Sequence, residues 1–173
     1  MTKARATTTT MATPELVTIG AYGWDAERFF AALVSARVDT FCDIRQRRGM
    51  RGAEYAFANS RRLQARLAEL GIRYLHLKEL APSRTTREQQ YSADEDEGTT
   101  KRQRTALSPA FAEAYRRERL AAFDSAQFVA ALSLDAKVIA LFCVEREPQA
   151  CHRSLVTERL ARDLDARVKH ITP

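Results

Sequence analysis

The sequence predicts an α/β fold: a single-domain three-layer sandwich with a mostly parallel, Rossmann-like sheet and helices on both faces. Short apolar runs alternate with stretches of helical periodicity, and this alternation is typical of parallel strands joined by helices. The chain has 173 residues, a length that suits one domain with its own core. Hydrophobic residues make up 45% of it and charged residues 29%, which is the composition of a globular protein.

The first half of the chain contains three predicted strands and two predicted helices. Residues 1–14 are rich in Thr and Ala and have no apolar period, so we expect a disordered tail before a domain that spans residues 15–173. The predicted strands are the apolar runs LVTIG (16–20), VDTFCDI (38–44) and IRYLHL (72–77). One helix begins after the N-cap Asp25, and the second lies within residues 54–71 and ends at Gly71.

The second half begins with a polar segment and contains the most strand-like run of the chain. Residues 82–105 carry an acidic run and then a basic run without apolar periodicity. This pattern predicts a charged, flexible insert that is either a lid or disordered. The predicted elements after the insert are helices at 109–122 and 125–134, a strand at 137–143, a helix at 151–163 and a final strand at 167–171.

Polar side chains follow each of the first four strands. In a parallel α/β sheet, ligands bind beyond the carboxyl ends of the strands, so we expect these side chains to share one edge. The predicted ligand-binding residues are Gly20, Tyr22, Arg45, Arg47, Glu79, Cys143 and Arg153. The candidate catalytic groups are Asp43, Glu145, Cys151 and His152. Asp43 ends a buried strand, so it orients Arg45 or His152, acts as a base, or forms a structural ion pair.

Cys151, His152 and Arg153 stand together where a helix is predicted to begin. The amide groups and the dipole of a helix N-terminus favour an anion, so Arg153 and this terminus are suited to hold a phosphate. The same location lowers the pKa of a thiol, which would let Cys151 act as a nucleophile with His152 as its proton carrier. A third interpretation is a structural helix start with Cys151 packed inward.

The spacing of the cysteines and histidines disfavours a metal. Cys143, Cys151 and His152 form the pattern C-x7-C-H, whereas structural zinc sites usually use short paired spacings such as C-x2-C. Neither a P-loop nor a G-x-G-x-x-G motif occurs in the sequence. We therefore predict a site that contains no metal and no other cofactor.

The charge of the chain points to an anionic partner. The net charge is +6 and the pI is about 9.5, which favours nucleic acid or a nucleotide. The basic segment RQRRGMRG (45–52) lies close to Tyr55 and Phe57, a combination that suits single-stranded nucleic acid. No apolar run reaches the roughly 18 residues of a membrane span, and there is neither a signal peptide nor a disulfide framework. We expect a cytoplasmic protein with no membrane partner.

Four segments resemble the domain of unknown function 488 family: TIGAYG (18–23), DIR (43–45), GIRYLHLKEL (71–80) and CVEREPQACHRSLV (143–156). The last segment is similar to the family's C-terminal C-x-E-x-x-P-x-x-CHR signature. The resemblance covers nearly all of residues 16–173 and implies a compact α/β fold with a shared site, but no particular reaction. Carried over position by position, it marks Gly20, Asp43, Arg45, Glu79, Cys143, Glu145, Cys151, His152 and Arg153.

These observations lead to one main functional hypothesis and two alternatives. The main hypothesis is a protein that binds a phosphate-bearing ligand of the nucleic-acid or nucleotide class at the strand ends, with Arg45 and Arg153 on the anion. The first alternative is a thiol-dependent enzyme or redox protein that uses Cys151. The second alternative is an adaptor module that recruits a protein partner through residues 82–105.

Overall fold

A computed structural model of the protein describes residues 13–133 and 135–173. In these residues one fully parallel sheet is formed by five strands: β1 (Glu15–Ile19), β2 (Thr40–Asp43), β3 (Arg73–His76), β4 (Val138–Phe142) and β5 (Val168–Ile171). Their order across the sheet is β3–β2–β4–β1–β5. The predicted α/β class is confirmed, and each strand coincides with a predicted apolar run to within two residues at either end.

Across the described part of the chain, six α-helices flank the sheet: α1 (Ala26–Ser35), α2 (Ser60–Glu69), α3 (Arg84–Asp96), α4 (Pro109–Tyr115), α5 (Ser125–Leu132) and α6 (His152–Leu164). Side chains alternate between the two faces of a strand, so successive residues of β4 enter different cores. Ala140 and Phe142 pack with α1 and α2, whereas Ile139 and Leu141 pack with α4, α5 and α6. One core thus lies on each face of the sheet, and the sheet is the middle one of the three predicted layers.

The helix boundaries follow the capping signals of the sequence. The Asp25 side chain accepts the Arg28 N–H at 2.9 Å and caps α1, as predicted. Gly71 follows the end of α2 with φ of +71°, a left-handed conformation that glycine adopts without a steric penalty. The helix predicted at 109–122 consists of α4 and a π-helical turn at Arg116–Leu120.

The strands end level with one another, and this register places the candidate site. Phe142 at the end of β4 pairs with Ile19 of β1 and with Asp43 of β2. The connections that follow β1 and β2 run over the face with α1 and α2, while those that follow β3 and β4 run over the opposite face. Chain segments therefore leave neighbouring strands in opposite directions, which opens a crevice at the carboxyl ends.

The predicted insert at 82–105 contains α3. Ser83 caps this helix by accepting the Thr86 N–H at 3.1 Å. The buried stripe of α3 is polar, because its buried residues are Thr86, Gln90 and Asp94 at a spacing of four, so a search for apolar periodicity does not find the helix. Helix α3 packs against α4. The flexibility of the insert stays a prediction.

Two further expectations concern the ends of the chain and its location. Residues 1–12 of the predicted tail at 1–14 lie outside the described residues. In the part of the chain that the structure describes, every helix is too short or too polar to cross a membrane.

Candidate functional site

A cavity of about 830 Å³ opens at the carboxyl ends of the strands. Its walls come from the loop after β1, the loop after β2 and the loop between β4 and α6, and residues 82–107 cover it from one side. This volume falls in the range of small-molecule sites, which is roughly 300–1,000 Å³. The position agrees with the crevice that the strand order creates.

The cavity collects seven of the eleven predicted site residues. Those that line it are Tyr22, Arg45, Arg47, Cys143, Glu145, Cys151 and His152. The other four, which do not line it, are Gly20, Asp43, Glu79 and Arg153. Glu79 is exposed on a short 3₁₀ turn after β3. Gly20, Asp43 and Arg153 are buried beside the cavity and position residues that line it.

Arg45 is a buried cation of the cavity wall that its neighbours hold in place. The Asp43 carboxylate accepts hydrogen bonds from Arg45 Nε at 2.8 Å and from Nη2 at 2.7 Å, and the guanidinium lies 4.6 Å from the centre of the Phe142 ring. Tyr74 donates to the same carboxylate at 2.9 Å, and burial raises the pKa of Tyr74 to about 12, so the phenol keeps this proton. Asp43 thus orients Arg45, one of the roles that the sequence left open.

One nitrogen of Arg45 has no partner. The side chain is 2% exposed, and among the described residues its Nη1 makes no hydrogen bond. A buried donor without a partner is costly, by about 1–3 kcal/mol and more for a charged group. Since Arg45 lines the cavity, a ligand that accepts from Nη1 would remove this cost.

Arg153 anchors the loop between β4 and α6. It is fully buried and donates from Nη1 to the Glu145 carbonyl at 2.7 Å and from Nη2 to the Arg146 carbonyl at 2.9 Å. A Cβ atom on Gly20 would overlap the Glu145 carbonyl oxygen. The glycine after β1 therefore lets this loop approach the sheet. The structure gives both residues a positioning role at the cavity wall.

Glu145 joins the covering segment to this loop. Its Oε1 accepts a hydrogen bond from Arg104 Nη2 at 3.2 Å and pairs with Lys101 Nζ at 3.4 Å. Arg104 also donates to Asp94 of α3 at 3.0 Å. Glu145 raises the pKa of Lys101. In the described residues, Oε2 of Glu145 is buried without a partner, as is Nη1 of Arg45.

Cys143, Cys151 and His152 form a buried cluster in the cavity wall. Nδ1 of His152 lies 3.9 Å from the sulfur atoms of both cysteines, and Nε2 lies 3.2 Å from the carbonyl oxygen of Ile44. Cys151 occupies the N-cap position of α6, without a capping hydrogen bond from its side chain. Within the described residues, this cluster is the one group of potential metal ligands whose atoms are close enough to share an ion.

The pKa values of the cluster diverge. Burial raises the pKa of Cys151, but a hydrogen bond from Cys143 and the charges of Arg153 and His152 outweigh it, so this pKa lies well below its usual value. The hydrogen bond to Cys151 and burial raise the pKa of Cys143 well above its usual value. Burial lowers the pKa of His152, but the negative charge of Cys151 outweighs it and raises the pKa.

Sequence reasoning missed the residues that the insert contributes to the site. Arg104, Lys101 and Gln90 line the cavity, and all three belong to the segment predicted as a charged insert. Two signals were available in the sequence: the close opposite charges of residues 94–97 and 101–104, and the polar stripe of α3. Neither signal predicts that the segment folds back over the carboxyl ends of the strands.

Comparison with known proteins gives a family. The chain matches the family model of the domain of unknown function DUF488 over residues 25–160, a range that contains β2, β3, β4 and the cavity-lining segments between residues 45 and 152. TIGAYG (18–23) lies before this range, and the individual motifs of the resemblance stay predictions. Neither a curated protein nor a solved structure shows significant similarity to the chain. Since the matched range covers most of its 173 residues, the chain belongs to the DUF488 family.

Proposed function

We propose that this protein binds a phosphate-bearing ligand of the nucleotide or nucleic-acid class in the cavity at the strand ends. The observation that carries this proposal is the state of Arg45. Its guanidinium is fixed by Asp43 and buried against Phe142, the residue lines the cavity, and one of its donors has no partner among the described residues. A rigid, partly desolvated guanidinium is the group that binds phosphate oxygens best.

The charge of the cavity supports the same ligand. Eight basic side chains line it, against two acidic ones: Arg45, Arg47, Arg51, Arg84, Arg87, Lys101, Arg102 and Arg104 against Glu88 and Glu145. Among the described residues, Arg47 and Arg51 form no ion pair with an acidic side chain, and both are exposed. A concave surface of one sign focuses the field and attracts an oppositely charged ligand.

Aromatic and acceptor groups support a nucleotide over a bare phosphate. Tyr22 and Tyr91 line the cavity, and Tyr91 is 52% exposed, so Tyr91 offers a face on which a base stacks. The free Oε2 of Glu145 accepts a hydroxyl or an N–H group. A ligand that carries phosphate, a stacking base and a donor satisfies all three features.

The test is a binding titration of the full chain with inorganic phosphate, AMP, ATP and a short single-stranded RNA. A bound ligand raises the melting temperature by mass action. We expect the Arg47→Gln/Arg51→Gln variant to bind the preferred ligand roughly 3- to 30-fold more weakly, because each exposed ion pair contributes up to about 1 kcal/mol.

The matched control is Arg61→Gln/Arg62→Gln. It removes the same charge from exposed positions of α2 that do not line the cavity, and we expect its affinity to equal that of the parent chain. Equal losses in the two variants would mean that net charge alone attracts the ligand. Absence of a thermal shift with all four compounds, for a folded protein, would contradict the proposal.

The two alternative functions stay predictions. The contact between His152 Nδ1 and Cys151 Sγ favours a thiol-dependent role, although Cys151 is only 1% exposed. An adaptor role requires residues 82–105 to bind a partner, and in the structure several of these residues instead face the cavity.

A further inference from the structure

The cluster of Cys143, Cys151 and His152 lies at the cavity wall with three potential metal-ligating atoms and few other partners. We propose that these three side chains bind a transition metal ion of the Zn²⁺ class, with a fourth coordination position open to the cavity. The proposal concerns the cluster alone and holds whether or not the cavity binds a phosphate.

The distances within the cluster are close to those of a metal centre. The three ligand atoms all lie within 4.8 Å of one another, and the two distances between nitrogen and sulfur are 3.9 Å. Zinc binds thiolate sulfur at about 2.3 Å and imidazole nitrogen at about 2.0–2.1 Å, so ligands of one tetrahedral ion lie roughly 3.5–4 Å apart. A contraction of less than about 1 Å would complete the site.

The histidine presents the correct nitrogen. Nε2 of His152 is 3.2 Å from the Ile44 carbonyl oxygen, and a carbonyl only accepts hydrogen bonds, so Nε2 carries a hydrogen. In the neutral ring the lone pair is then on Nδ1, the atom that faces both sulfurs. Metal-ligating histidines almost always donate their other N–H in this way. Ile44 is itself fixed, because its N–H donates to the Phe142 carbonyl at 3.1 Å.

Rigid elements hold all three ligands. Cys143 directly follows β4, and its N–H donates to the Ile19 carbonyl at 3.3 Å. Cys151 and His152 begin α6. The long sequence separation that argued against zinc is thus closed by the fold, since the loop between β4 and α6 returns the chain to the end of its own strand.

The ligand types and their number define the kind of metal. Two thiolates and an imidazole favour zinc or another borderline or soft transition metal over Mg²⁺ or Ca²⁺. Structural zinc sites use four protein ligands, whereas sites with three keep a position for water or substrate. All three side chains are buried yet line the cavity, so the open position faces it. Binding releases to solvent the protons of whichever thiols are still protonated.

The test is a titration of the metal-free, fully reduced chain with Co²⁺, in a phosphine reductant that is not a thiol. We expect one equivalent to bind with a thiolate-to-cobalt charge-transfer band and the strong visible bands of tetrahedral Co²⁺, and Zn²⁺ to bleach both. Cys143→Ser and Cys151→Ser should weaken binding by at least 10- to 100-fold, because even outer-shell partners contribute that much.

Cys42→Ala is the matched control. Cys42 is the third cysteine, it is equally buried on the same face of the sheet, and it lies outside the cluster. We expect this variant to bind Co²⁺ as the parent does. Loss of the spectrum in all three variants alike, or a spectrum of octahedral Co²⁺ without thiolate bands, would overturn the proposal.

A second measurement needs no variant. X-ray absorption of the zinc-loaded parent chain should show two sulfur atoms, one imidazole nitrogen and one light atom around the metal. A shell of oxygen and nitrogen alone would overturn the proposal. The titration contains no phosphate ligand, and the nucleotide titrations use metal-free protein, so failure of one proposal is distinguishable from failure of the other.

Discussion

Two buried arginines stand beside the candidate site, and different partners hold them. Arg45 is fixed by the carboxylate of Asp43, whereas Arg153 donates to two backbone carbonyls of the β4–α6 loop. Both were predictable as charges near strand ends. Their different roles were not predictable, because they depend on the path of the β4–α6 loop. This loop can approach the sheet because Gly20 has no side chain.

The ion pair between Asp43 and Arg45 carries the first prediction. Asp43→Asn leaves a buried guanidinium without its counter-charge, so we expect the free energy of unfolding to fall by about 3 kcal/mol. Urea denaturation measures this change. Glu69→Gln is the control, because it breaks an exposed ion pair with Arg66 and should cost under about 1 kcal/mol. Similar costs for the two variants would show that burial does not strengthen the dependence on Asp43.

At the scale of elements, the strands were predictable and one helix was not. The central strands β1, β2 and β4 are largely buried by packing on both faces of the sheet, so each lies in an apolar run that a hydropathy pattern detects, whereas the edge strands β3 and β5 are partly exposed. Helix α3 buries Thr86, Gln90 and Asp94 instead. These side chains stabilise the helix through specific hydrogen bonds, which a hydropathy pattern does not encode.

The polar anchor of α3 gives the second prediction. Asp94 accepts from Gln90 at 2.8 Å and from Arg104 at 3.0 Å. Asp94→Asn should lower the free energy of local opening of residues 84–107 by roughly 1–2 kcal/mol. Amide exchange in these residues should then be about 10-fold faster, while amides in the sheet keep their protection. Hydrogen exchange read by mass spectrometry resolves the two regions.

Glu88→Gln is the matched control on the same helix. It removes the same charge from an exposed ion pair with Arg84 and should change exchange by no more than roughly twofold. Equal acceleration in both variants would mean that the charge of α3, rather than the contact with Arg104, keeps the covering segment in place.

At the scale of the whole molecule, strand order brings three distant loops together around one cavity. The parallel register places the ends of β1, β2 and β4 at one level, and the crevice opens because the connections leave neighbouring strands over opposite faces of the sheet. This much follows from the predicted fold, which is why seven of the eleven predicted residues line the cavity. The cover formed by residues 82–107 does not follow from it, because no topological rule fixes where a long insert packs.

The cavity also concentrates the positive charge of the molecule, which has a net charge of +6. If ATP binds there through the basic lining, its affinity should fall on the order of 10-fold as KCl rises from about 0.05 to 0.5 M, because the Debye length shortens from over 10 Å to under 5 Å. The Arg47→Gln/Arg51→Gln variant should show a shallower dependence, since it has fewer cations to screen. Calorimetric titrations across the salt series measure the slope for each protein. Sucrose at matched osmolality is the control, and it should leave the affinity for ATP unchanged. An affinity that does not respond to salt would place the binding energy in stacking and fixed hydrogen bonds rather than in the charge of the cavity.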